Sequence, residues 1–213
     1  GGVLSVDITG MLGEIDNNGV IEITTPDGDI TPGAYFTGRE LTSYGNINRD
    51  GGEDGGYVVF NASENTAIGG IINAGDGGTV DLLATLDVIV TPGARIEAAD
   101  TMLSGNRVAH LGTIDASAND GGAGGTVAVV STSRTIIGPV SRIDASGGDG
   151  AGAGGDVYIN TTAGATSFAP GAVIDVSGGD VAGNAGIAEV SGHGFDGGID
   201  GDVVLGATDG YQA

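Results

Sequence analysis

The sequence predicts an all-β protein, a parallel β-helix (β-solenoid) with irregular coils of roughly 20–30 residues. Three observations predict it. A short Ile-Asp phrase recurs along the chain, a double glycine and an alternating Val strand recur after it, and a Pro-Gly-Ala turn recurs before it.

The Ile-Asp phrase is clearest as IDASAN at 114–119, IDASGG at 143–148 and IDVSGG at 174–179. Weaker copies are IDNNG at 15–19, INRDGG at 47–52, INAGDGG at 72–78 and IEAAD at 96–100. Counted from the leading Ile, the intervals are 32, 25, 24, 18, 29 and 31 residues. Such uneven spacing belongs to a solenoid whose turns accept insertions.

The strand phrase reads GGYVVF at 55–60, GGTVDLL at 77–83, GGTVAVV at 124–130 and GGDVYI at 154–159. The preceding turn reads ITPGAYF at 30–36, VTPGARIEA at 90–98 and FAPGAVIDV at 168–176, altered to IIGPVSRIDA at 136–145. Helix formers are scarce and β-branched residues alternate with small polar ones, so each unit holds two or three short strands between glycine turns. One unit cannot bury its own Ile and Val. Stacking units at the ~4.8 Å strand spacing buries them in one continuous core.

This arrangement points Ile114, Ala116, Ile143, Ala145, Ile174 and Val176 inward, with Asp115, Asp144 and Asp175 between them facing out. The run of small residues at 147–156 then reads as a turn between strands rather than as a disordered linker. The whole chain, 1–213, reads as one solenoid. Regular repeats fill 46–213, and 1–45, where the phrase fades, is expected to be an irregular or capping first part.

Composition narrows the function. The 28 Asp and Glu face six basic residues, for a net charge of -22, and all six are arginine. Without a basic patch the chain has no means of neutralising phosphates, so neither nucleic acid nor an anionic membrane is an expected partner. Cysteine is absent, which removes disulfides and thiolate metal sites. No apolar run reaches the ~18 residues of a membrane span, so membrane insertion is not expected. The start, GGVLSVDITG, lacks the basic and apolar regions of a signal peptide, and a processed form or excised segment is the expectation.

Two readings of the outward acids stand. Asp115, Asp144 and Asp175 on successive coils would place like charges about one strand spacing apart, raising their pKa values or recruiting a cation such as Ca2+. Alternatively each Asp caps its own following turn by accepting backbone N–H bonds. A second calcium candidate is GGIDGDVVL at 197–205, with Asp200 and Asp202 in ligand-like positions and Asp196 and Asp209 as possible helpers. His110 and His193 have no His partner at metal-ligand spacing, so a surface or turn role is expected for both.

Arg39 and Arg49 flank the aromatic cluster Tyr35, Phe36, Tyr44, Tyr57 and Phe60, which makes Arg39, Arg49 and Tyr44 the best ligand-binding candidates. An enzyme reading, a carbohydrate-active β-helix of lyase or glycosidase type, requires a cleft of clustered acids beside one of those arginines. The serines recur with the repeat, which marks them as architecture and leaves no credible nucleophile.

The order PGAxIDxSGG, glycine turn, GGxVxV over residues 88–179 resembles the shaft repeats of filamentous-haemagglutinin-like large exoproteins. That resemblance implies a right-handed, extracellular β-helix in a surface adhesin or biofilm component. The Asn-Pro-Asn motif of the family's secretion domain has no counterpart here, so the resemblance is to shaft. The expected function is therefore an extracellular structural or adhesive element without catalysis. It would be a shaft segment or a fibre subunit stacking end to end through open strand edges, with host or matrix glycans as further partners. A phage or surface spike shaft is the other structural reading.

Overall fold

The structure, a computed structural model, describes residues 3–7, 14–17, 20–24, 33–50, 55–192, 195–199 and 202–204, with side-chain environments for 34–48 and 55–192. The described residues contain strands, turns and bends and no helix. All their strand pairings are parallel, and they sort into three columns.

The first column stacks Val3–Asp7, 33–38, 57–62, 79–84, 100–105, 126–131, Asp156–Thr161 and Ile187–Gly192. The second stacks Glu14–Asn17, 40–43, 65–68, Asp87–Val90, 107–110, 134–137, Ala165–Phe168 and Phe195–Ile199. The third stacks Val20–Thr24, Asn46–Asp50, 71–73, 95–97, Thr113–Asp115, Arg142–Asp144, Val173–Asp175 and Asp202–Val204. The chain visits first, second and third columns in turn and then begins again, so each visit lies one tier above or below the last.

The recurring phrase maps onto this order with one exception. Ile47, Ile72, Ile96, Ile114, Ile143 and Ile174 face one another in unbroken register along the third column. Ile15 does not belong with them: it pairs with Leu41 in the second column, and the residue that pairs with Ile47 is Ile21. The columns also run through 33–45 into the strands before it, with no change of register at residue 45.

Alternation sets the core. All six isoleucines from Ile47 to Ile174 are at most 1% exposed, and Ala116, Ala145 and Val176 are buried beside them. Full burial of one such side chain contributes about 1.5–3 kcal/mol, so the isoleucine stack is a principal source of stability. Phe36 and Phe60, one tier apart in the first column, are also buried, with ring centroids 4.7 Å apart. Tyr35, Tyr44 and Tyr57 are exposed, which splits the aromatic cluster into core and surface members.

The glycine-rich runs 116–125, 145–155 and 176–186 are stacked loops. Gly148 N–H donates to Gly122 O at 2.9 Å, Gly124 N–H to Ala153 O at 2.8 Å, and Gly154 N–H to Asn184 O at 2.7 Å. Backbone amides and carbonyls of these small-residue segments are thereby satisfied tier to tier. Glycine is required by close approach: a Cβ on Gly155 would lie 2.0 Å from Gly125 O, and one on Gly186 would lie 1.7 Å from Gly155 O.

Candidate functional site

The outward acids form a ladder on the third column. Glu97, Asp115, Asp144 and Asp175 are successive register partners, and all are half-buried. In each aspartate Oδ1 serves the local turn. Asp115 accepts the Ser117 hydroxyl at 2.6 Å, and Asp144 and Asp175 accept those of Ser146 and Ser177 at 2.7 Å. The backbone N–H of the same serines donates to the same oxygens. The other oxygen serves an arginine. Arg95 bridges Glu97 and Asp115, donating to Asp115 Oδ2 at 2.7 Å, and Arg142 bridges Asp144 at 2.7 Å and Asp175 at 3.1 Å.

The cation between like charges is thus a guanidinium from the same column. Burial pushes the Asp144 carboxyl up, but hydrogen bonds from Ser146 and Arg142 and the Arg142 charge outweigh it, and its pKa lies below the usual value. The upward shift expected from stacked acids is reversed at Asp144 for this reason. Both oxygens of Asp115, Asp144 and Asp175 thus take a hydrogen bond or ion pair from within the column. Among the described residues no group of three or more His, Cys, Asp or Glu is arranged to hold a metal ion.

The other candidates separate. Asp200 lies outside the described residues; Asp202 and Arg49 sit in strands whose side chains lie outside the described environments. Arg39 stands at the register shift within the strand Gly33–Ser43, just before residues 40–43, and pairs with Glu64 at 3.4 Å. Tyr44 follows that strand, and its ring lies over the Gly69 backbone, where a Cβ would come within 2.1 Å of it. Arg39 and Tyr44 therefore occupy the two ends of one short strand.

Three arrangements escaped the sequence reading. The first is His110, expected in a surface or turn role but 0% exposed within a strand of the second column, between register partners Val90 and Ile137. Its Nε2 lies 3.3 Å from Arg142 O, and a carbonyl only accepts, so Nε2 carries the proton. Its Nδ1 is buried without a partner. Burial pushes the pKa down to about 4, against a smaller upward effect of that carbonyl.

The second is a buried hydroxyl cluster where the first and second columns meet. Thr161 Oγ1 lies 3.0 Å from Ser131, 2.9 Å from Thr135 and 2.7 Å from Thr166. The Ser and Thr positions 131, 135, 161 and 166 resemble ordinary strand polar residues in sequence, and only their shared inward direction distinguishes them.

The third is an open polar groove lined by Asn73, Asp76, Arg95, Glu97, Asp115 and Asn119. It forms where residues 98–99 of the continuous strand Arg95–His110 lie beside the longer loop 116–125, leaving a ledge. Donors and acceptors interleave along it, a chemistry that suits hydroxyl groups, each of which both donates and accepts. The change in interval from 18 to 29 residues at Ile114 was the sequence signal for this ledge.

Comparisons with protein-family models, with curated proteins and with solved structures found no match to this chain.

Proposed function

We propose that the chain is a parallel β-solenoid acting as a non-catalytic, extracellular structural or adhesive element, a shaft segment of a large surface adhesin or a self-assembling fibre subunit. The observation that carries this reading is the register itself: the same isoleucine position repeats tier after tier on the third column, with an outward acid beside it on the four tiers of Glu97, Asp115, Asp144 and Asp175. Such repetition serves length and surface, and a column continues onto any further strand presented to its end. The likeness of residues 88–179 to adhesin shaft repeats supports the same reading. The polar ledge at Asn73, Arg95, Glu97 and Asn119 is the place assigned to a glycan partner.

Negative-stain microscopy of the purified chain, with millimolar calcium and with chelator, tests the reading. Eight tiers at ~4.8 Å make a rod of about 38 Å. Rods of that length, or filaments of one narrow width built from them, are expected; globular particles would end the solenoid proposal. For the glycan partner, Arg95→Ala and Asn119→Ala should weaken binding on a polysaccharide array. Unchanged binding, or binding by neither the parent nor the variants, would remove the ledge from the proposal.

A further inference from the structure

The second column has an outer face unlike the described outer faces of the other two columns. From Arg39 to Phe168 its described charges are Arg39, Arg107 and Arg134 against Glu40, Glu64 and Asp87, three of each sign, in a chain of net charge -22. Half of the chain's arginines stand on this one face. Its outward apolar residues are half-buried in register: Ala67, Ile89, Ala109 and Ile136 follow one another tier by tier.

The charged row beside this stripe runs Asp87, Arg107, Arg134 on three successive tiers. Arg107 donates through Nε and Nη2 to both oxygens of Asp87, at 2.7 and 2.5 Å, and so leans toward the Asp87 tier. Arg134 is exposed, and its guanidinium has no hydrogen bond or ion pair among the described residues. A shallow groove lined by Asp87, Ile89, Arg107, Ala109, Arg134 and Ile136 joins the two rows.

We infer that this face is a self-association surface through which two copies pair side by side and antiparallel. A two-fold axis lying along the strand direction at the tier of Arg107 and Ala109 exchanges the tiers on either side. It sets Asp87 of one copy opposite Arg134 of the other, twice, and Ile89 opposite Ile136, twice. Each interface is then self-complementary, as a two-fold dimer requires. The two Arg107 side chains diverge, because each leans toward its own Asp87.

Electrostatics favours this face over the others. Bringing two strongly acidic molecules together is opposed by their net charge, and the opposition is least where the touching surfaces are neutral. The alternative of a parallel pairing sets Arg134 against Arg134 and gains no ion pair. A four-residue strand is ~13 Å long and six tiers span ~30 Å, so each copy buries several hundred Å2, at the small end of specific interfaces. The dimer is therefore weak and reversible. This inference concerns lateral pairing and is independent of end-to-end growth.

Sedimentation of the full chain across a concentration series tests it. A concentration-dependent dimer is expected, and Arg134→Glu should weaken it by at least about tenfold through like-charge contact with Asp87. Asp87→Lys alone should do the same. Mixing the Arg134→Glu chain with the Asp87→Lys chain should restore dimers, since each then supplies the charge the other lacks. The chain has no cysteine, so orientation is read by oxidation: Ala109→Cys, on the axis, cross-links two copies, whereas Ala67→Cys, off the axis, does not. Circular dichroism of each variant checks that it is folded. A monomer at every concentration, a dimer indifferent to Arg134→Glu, or equal cross-linking at both cysteines would overturn the inference.

Discussion

The second and third columns are built from strands of similar length in the same parallel stacking, yet they keep their order by different means. The third column repeats itself, with isoleucine inside from Ile47 to Ile174 and an acid outside from Glu97 to Asp175. The second repeats its geometry but not its residues. Its inward positions hold Leu41, Thr66, Ile68, Val88, Val90, Val108, His110, Thr135, Ile137, Thr166 and Phe168. Identical side chains stack well on themselves and leave a phrase in the sequence. A varied core must be matched piece by piece, and it leaves none.

The largest effect should come from breaking the uniform stack. Ile143→Ala removes a fully buried side chain between Ile114 and Ile174 and is expected to cost about 2–5 kcal/mol in denaturant unfolding. A cost well under 1 kcal/mol would mean that the stack relaxes around a gap and that uniformity contributes little.

Next is the titration of His110, the polar member of the varied column. Its folded pKa of about 4 lies below the unfolded value of about 6.5, so below pH 6.5 the unfolded chain binds the proton and the folded one resists it. Stability contributed by the neutral ring is fully present above pH 6.5 and falls by roughly 1.4 kcal/mol per pH unit down to pH 4, about 3 kcal/mol in all. Unfolding midpoints at pH 7 and pH 4.5 should differ, and His110→Leu should remove most of the difference. An unchanged difference in the variant would assign it to the carboxylates instead.

Thr161→Val keeps the shape of the buried hydroxyl cluster but removes its central member, leaving Ser131, Thr135 and Thr166 short of a partner. A loss of about 1–3 kcal/mol is expected by chemical unfolding. No loss would show that the remaining three hydroxyls close on one another.

The smallest effect should come from the acid ladder. Arg142→Gln removes the bridge between Asp144 and Asp175; Arg142 is 44% exposed on its side chain, so the cost should stay below about 1 kcal/mol and shrink with salt. The same change should raise the Asp144 pKa, followed by NMR titration of its carboxyl carbon. In the parent chain the depressed Asp144 pKa means that this contribution is present above the ordinary aspartate range and is lost as pH falls through the folded value. An Asp144 titration that does not move would transfer the depression to Ser146 alone.

The same contrast explains what was legible beforehand. The inward Ile114, Ile143 and Ile174, the outward Asp115, Asp144 and Asp175, and the turn at 147–156 could be read because the third column repeats. The use of each Asp as a turn cap was one of two open readings, and the arginine partners were not foreseen. Arg95 and Arg142 precede their strand's acid by two residues, a spacing that puts both on one face, but the cross-tier bridge needs the register as well. The second column went unread. His110 reads as a surface or turn residue because a histidine after Arg-Val-Ala carries no burial signal, yet it is a buried strand residue; Ile15 reads as part of the phrase because Ile-Asp can arise in any outward-alternating strand.

The stacked loops carry a consequence for how such a chain can change in length. Loop 145–155 is held on both sides, to 116–125 and to 176–186, mainly through backbone groups, with Gly150 N–H also donating to Asp180 Oδ1 at 2.8 Å. Deleting two residues from it would orphan amides and carbonyls in both neighbours, whereas trimming a loop at the end of such a stack would disturb one. Loops in the interior of the stack are therefore bound to a shared length, and a new length can enter only from a flank and spread inward.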